Sequence, residues 1–396
     1  MAFAFYFAEG APIGFIWWAM PTLLRQHGFG IDVIGKLTAL LTLPWVLKFL
    51  WAPLIDVFRN KQFGYTGWIG VSQLLMCLTL LPLVFIPLEG NLALWGTFLF
   101  MHSICAATQD VSVDALVINV VAIKEKGFLN GLMQAGMLLG RSLFGGGALL
   151  LATNAGLHIT ISVMILVILS TTLLLFFISE PSTIHSDKKR ITEFKHNLID
   201  AFKPRRTWFA IGFALTAAAA FESVGAMARP FMTDKKISTE TIGVFFGLPV
   251  VLSMLTGGLI GGYFSDKMKR IRSTSLFLCG FVFMAIVISI NSFIFPDTKP
   301  IIWISLFTLM YLFIGMFTAA SYALFMDVSN PKLGATQFST FMAATNGCEA
   351  WVVWSTGILV ASYSYGLAFL LMAFVSLGSL FFLRKIKVEI VQPINY

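Results

Sequence analysis

The chain has 396 residues, of which 58% are hydrophobic and 12% charged, and its formal net charge is +8. Soluble domains carry roughly 25% charged residues, so this composition cannot clothe the surface of a water-soluble fold of this size. The basic residues fall between apolar runs, which directs the positive balance toward the cytoplasmic face of a membrane and away from nucleic acid.

Crossing the hydrocarbon as a helix takes about 20 apolar residues. Runs of that kind are read at 2–24, 32–54, 67–88, 92–118, 128–152, 157–179, 207–231, 241–264, 274–295, 300–326, 335–360 and 365–384. Lipid offers no partner to backbone polar groups and the runs are too long for barrel strands, so all are expected to be α-helices. The expected fold class is an all-α membrane protein of twelve transmembrane helices in two pseudo-symmetric bundles of six. The bundles are assigned to 1–179 and 207–384, with a basic cytoplasmic linker at 180–206 and a cytoplasmic tail at 385–396. With both termini inside, 19 Lys and Arg fall in cytoplasmic segments and four (Arg25, Lys235, Lys236 and Lys299) outside. That asymmetry follows the positive-inside rule. Cys77, Cys105, Cys279 and Cys348 all lie in apolar runs, so no disulfide is expected.

Acids recur between the halves. Asp56 and Asp266 are 210 residues apart, whereas Asp114 and Asp327, and likewise Glu9 and Glu222, are 213 apart. Parallel repeats of this kind characterise one large class of secondary transporters. Gly257-Gly258 with Gly261-Gly262, and Gly145-Gly146-Gly147, are read as permitting close helix approach.

Gly262-Tyr263-Phe264-Ser265-Asp266-Lys267-Met268-Lys269-Arg270 resembles the cytoplasmic signature of the major facilitator superfamily. The first half keeps the acid, in Ala52-Pro53-Leu54-Ile55-Asp56, but not the glycine. The resemblance implies gating for Asp56, Asp114, Asp266, Lys267, Arg270 and Asp327; helix-end solvation and charge pairing are the alternative. Leu43-Pro44-Trp45 through Asp56, Ala107-Thr108-Gln109-Asp110-Val111-Ser112-Val113-Asp114-Ala115 and Gly136-Met137-Leu138-Leu139-Gly140-Arg141 resemble the AmpG-related permeases. That family also includes acetyl-CoA transporters and a branch of siderophore permeases. Its muropeptide permeases usually carry extra C-terminal spans. Twelve spans, and the stretch Asn130 to Met137 with Gln134, therefore favour the siderophore branch.

Charge inside a bilayer is costly and usually faces a bundle interior. Glu9, followed by the helix-loosening Gly10-Ala11-Pro12, and Glu222, near mid-depth, are expected to couple proton movement or to form static ion pairs. Asp110 has Ala323 where the second half would repeat it, and it is read as a third proton-coupling acid or as the structural partner of Arg141. Arg141 and Lys48 suit an anionic group of a solute, or neutralise nearby acids. Glu349 with Asn346 and Trp351, together with Trp17 and Gln134, complete the expected solute contacts; aromatic packing is the plainer role for each tryptophan.

No phosphate-binding loop, metal-ligand spacing or serine elbow occurs. Neither catalysis, a cofactor nor a resident metal is expected. The function read from the sequence is a monomeric secondary transporter of a bacterial inner membrane, working between lipid, protons and a bulky polar solute. Siderophore import leads, and muropeptide import and drug or metabolite export are alternatives. A membrane-embedded enzyme and a transport-fold receptor are the rival classes.

Overall fold

Backbone amides in hydrocarbon can bond only to one another, and among the described residues the chain meets this with helices and no strands. The computed structural model describes residues 1–27, 29, 31–58, 63–178, 190–295 and 298–386. Arg59, Lys61, Lys188 and Lys189 of the expected cytoplasmic segments, and Lys387 of the tail, lie outside them.

Every expected span coincides with helix. The first is α1 (Ala2–Gly14), a π-helical turn (Phe15–Ala19) and α2 (Met20–Gln26). The second is α3 (Ile31–Leu47), a 3-10 turn (Lys48–Leu50) and α4 (Ala52–Val57). The third is α5 (Tyr65–Leu80) and the fourth α6 (Leu92–Val120). The fifth comprises α7 (Lys126–Ser142), a second π-helical turn (Leu143–Gly147) and α8 (Ala148–Ala155). Gly156, at φ 94°, turns the chain into α9 (Leu157–Thr172), a conformation that disfavours any side chain. In the expected linker, α10 covers Arg190–Phe202.

The seventh span is α11 (Arg205–Thr216) with α12 (Ala219–Asp234), and the eighth α13 (Thr239–Gly247) with α14 (Pro249–Lys267). The last four are α15 (Arg270–Ile294), α16 (Pro300–Val328), α17 (Gly334–Ser362) and α18 (Tyr365–Lys385).

Among the described residues, eight helical segments are long and apolar enough to cross a membrane. The second span contributes the shorter apolar helix Leu40–Leu50. The first, fourth and eleventh spans are outside that set and carry polar residues: Glu9; His102, Gln109 and Asp110; Asn346 and Glu349. Pro12 lies within α1, and the α-helical pattern gives way to the π turn three residues later, at Phe15.

Two compact units can be distinguished. The first comprises Met1–Val120, Met133–Leu198 and Pro331–Ser339; the second comprises Val121–Leu132, Ile199–Asn330 and Thr340–Tyr396. Within the first, glycines spaced by four let α1 and α7 approach backbone to backbone. A Cβ at Gly10 or Gly14 would collide with the carbonyls of Met137 or Arg141, and one at Gly136 or Gly140 with those of Phe3 or Phe7. In the second, Gly257 and Gly261 meet α16 at Leu312 and Met316, and Gly315 meets Met254. Gly258 and Gly262 lie against Gly131 and Gly127. These are the small-residue contacts expected of the Gly257 to Gly262 tract. The Gly145 to Gly147 tract differs: a Cβ at Gly146 or Gly147 would meet nothing, and the tract belongs to the π turn.

Gly140→Val is therefore expected to overpack the α1–α7 contact and destabilise the protein by at least ~1–3 kcal/mol, whereas Gly146→Ala should stay within about 0.5 kcal/mol. Thermal unfolding of the detergent-solubilised variants measures both.

Candidate functional site

In the first unit, α1, the 3-10 turn at Lys48, α6 and α7 bring six of the sequence-derived candidates together. Lys48, 5% exposed, forms an ion pair with Asp110, also 5% exposed. The 3-10 turn follows Pro44 and Leu47 and aims Lys48 inward at α6. Asp114, one turn along α6 from Asp110, is buried and accepts a hydrogen bond from the Tyr6 hydroxyl. Glu9 lies one turn from Tyr6, is 1% exposed, and has an Oε2 with no hydrogen-bond partner among the described residues. Asp110, Lys48, Asp114 and Arg141 are its electrostatic neighbours.

Arg141 was the expected partner of Asp110; the structure pairs that acid with Lys48. The Arg141 guanidinium lies over the Trp17 ring, 4.9 Å from the centroid. Trp17 meets Trp45 edge to face at 6.4 Å. Trp17 sits in the first π turn, and Arg141 lies two residues before the second; the two π turns touch. Such turns recur at functional sites because they re-aim side chains off the α-helical register. Gln134, earlier on α7, is half-buried.

In the second unit, Glu222 on α12 is half-buried and Glu349 on α17 is exposed, and the two are electrostatic neighbours. Arg229, two turns beyond Glu222, lies over the Phe246 ring at 4.7 Å. The buried Tyr311 feels both Glu222 and Arg229. Asn346 is half-buried one turn before Glu349. Trp351 donates its indole N–H to the Leu215 carbonyl at 3.0 Å, a packing role.

The acids expected to act alike as gates divide into three kinds. Asp56 and Asp266 each cap a helix start, where first-turn N–H groups have no partner within the helix. Asp56 accepts from Ala335 N at 3.2 Å, Thr336 N at 2.8 Å and Thr336 Oγ1 at 2.7 Å, all at the start of α17. Tyr65 adds its hydroxyl at 3.1 Å. Asp266 accepts from Gly127 N at 2.7 Å and Phe128 N at 2.6 Å, at the start of α7. A Cβ on residue 127 would crowd Asp266, Gly262 and Arg270, so glycine is needed there. Arg270 bridges Asp266 and Asp327, with 2.7 Å to each, and Lys126 approaches Asp327 at 3.9 Å. Lys267 lies over the Tyr263 ring. Asp114, the sequence counterpart of Asp327, belongs instead to the buried cluster with Tyr6.

Sequence reasoning missed Tyr6, Tyr65, Lys126 and Tyr311. Tyr6 offered one signal, its position three residues before Glu9 on the same helical face.

The family model for the Major Facilitator Superfamily matches residues 2–351. A Rickettsia conorii (strain ATCC VR-613 / Malish 7) protein carrying the name AmpG 4 is 23% identical over 96% of this chain and 94% of its own length. The anhydromuropeptide permease of Escherichia coli K12 is 24% identical over 85% of this chain and 69% of its own. Among solved structures, the E. coli fucose:proton symporter FucP superposes with a TM-score of 0.77 at 13% identity, covering 98% of this chain and 97% of that one. The proton:xylose symporter XylE superposes with a TM-score of 0.74 at 12% identity, covering 98% and 94%.

The two caps should respond differently to truncation. Asp266→Ala unpairs two helix-start amides and also takes one of the two carboxylates from Arg270, so it should cost more than Asp56→Ala, whose loss of the α17 cap is about 1–3 kcal/mol. Thermal unfolding of the two variants in one detergent checks the order.

Proposed function

Because the chain belongs to the Major Facilitator Superfamily, we propose that it is a proton-driven importer of a bulky anionic solute of the muropeptide type. It works by alternating access in a bacterial inner membrane, as a monomer with both termini in the cytoplasm. The observation that carries this reading is the buried cluster of Tyr6, Glu9, Lys48, Asp110 and Asp114 beside an arginine stacked on tryptophan. Static packing gives no return for placing that many charges in hydrocarbon, where each costs at least a few kcal/mol.

Each group has a part. Glu9 and Glu222 take up and release the coupling proton, with Asp110 setting the charge around Glu9. Arg141 binds a carboxylate of the solute through its planar fork, while Trp17 offers an aromatic face. Gln134, Asn346 and Glu349 hydrogen-bond its polar groups. Lys48 is assigned to Asp110 rather than to the solute because it is buried in that pair. The carboxylate caps of Asp56 and Asp266, with Lys267, Arg270 and Asp327, are the contacts made and broken on the cytoplasmic side as access alternates.

The relatives named above support the muropeptide alternative over the siderophore reading that leads in the sequence: one of them is described as an anhydromuropeptide permease.

Reconstituted protein under an inward-acid gradient is expected to accumulate labelled anhydromuropeptide. Glu222→Gln should abolish accumulation while sparing solute exchange. Arg141→Ala should raise KM about 10-fold or more, as the loss of one charge-assisted contact would. Accumulation of a ferri-siderophore without anhydromuropeptide would reverse the solute assignment, and wild-type accumulation by Glu222→Gln would remove that residue from coupling.

A further inference from the structure

We infer that the second unit holds an anion-binding groove between α12 and α13, in which Arg229 takes a carboxylate of the solute. The identity of the solute rests on the reading above; the groove and its charge do not.

Small residues on facing sides of the two helices open the groove. Glu222, Gly225 and Arg229 follow one another at spacings of three and four, and so share a face of α12. Gly243, Phe246 and Gly247 share a face of α13 in the same way. Gly225, Gly243 and Gly247 are exposed, and a Cβ on any of them would meet no atom. The glycines that pack helices in this unit do the opposite: at Gly257, Gly261 and Gly315 a Cβ would strike backbone. The first three therefore leave space where the others close it.

Arg229 is exposed in that space, and its guanidinium reaches across to α13, 4.7 Å above the Phe246 ring. Phe245 at 5.1 Å and Tyr311 at 6.3 Å hold that ring edge to face. A guanidinium laid on an aromatic face uses none of its five N–H donors there, so they remain for a planar acceptor. No ion pair or hydrogen bond of this guanidinium occurs among the described residues. Glu222 is two turns back, roughly 10 Å along the axis, and its electrostatic neighbour is another acid, Glu349. The groove is thus basic at Arg229 and acidic two turns away. A charge within a membrane span is costly until something answers it. A carboxylate arriving through the opening left by the glycines does so, and it matches the fork of the guanidinium.

Charge-selective labelling of the purified protein tests the groove without any solute. A cysteine is placed at Gly243, where a side chain fits, in a background carrying Cys279→Ser and Cys105→Ser. Its reaction rates with a sulfonate-bearing and a trimethylammonium-bearing methanethiosulfonate are then compared. Arg229→Gln is expected to lower the anionic-to-cationic rate ratio about 3-fold or more, as removal of a nearby positive charge would. An unchanged ratio overturns the proposal. Failure of both reagents to react also overturns it, because the groove would then be closed to water. Equilibrium binding supplies the ligand: Arg229→Gln should weaken anhydromuropeptide about 10-fold and leave its carboxyl-amidated form unaffected. Equal weakening of both forms returns Arg229 to a packing role. A wild type that binds neither form retires the muropeptide reading, and the labelling ratio then decides the groove by itself.

Discussion

A charge placed in hydrocarbon must be answered by another charge or by hydrogen bonds, and the Lys48–Asp110 pair is where this chain meets that demand most directly. The rest of the first unit is arranged around it. The second span breaks its α-helix at Lys48–Leu50 and so brings the ammonium to face α6. The Tyr6 hydroxyl satisfies Asp114, and α1 comes close enough to α7 to put Arg141 beside Glu9. Removing one partner of a buried pair strands the other, so this region is sensitive to substitution in a way that lipid-facing surfaces such as Phe176 or Leu166 are not.

Close approach between helices cannot come from the hydrophobic effect, since lipid tails are as apolar as leucine; it comes from shape. Gly10 and Gly14 against Gly136 and Gly140, and Gly257 and Gly261 against α16, provide that shape.

Much of this was legible from the residues. Runs of apolar character located every span because hydrocarbon thickness and backbone hydrogen bonding leave little choice. Asp56 and Asp266, 210 residues apart in the sequence, each end one helix and cap the start of another. An offset of 213 matched Asp114 to Asp327, but an offset reports position and not company. Its counterpart Asp327 meets Arg270 and Lys126, whereas Tyr6 and Lys48 surround Asp114. Arg141 was expected on Asp110, but the 3-10 turn of the second span brings Lys48 to that acid, which the order of residues along the chain does not reveal. Tyr6 escaped notice because a tyrosine in an apolar run looks like packing until its hydroxyl is seen on a carboxylate.

The central claim is that the buried acids tie solute movement to proton movement. Proteoliposomes loaded with a pH-sensitive dye, with no gradient imposed, test it most directly. Adding anhydromuropeptide outside is expected to acidify the lumen as the solute enters. Entry of labelled solute with the lumenal pH unchanged would contradict the account.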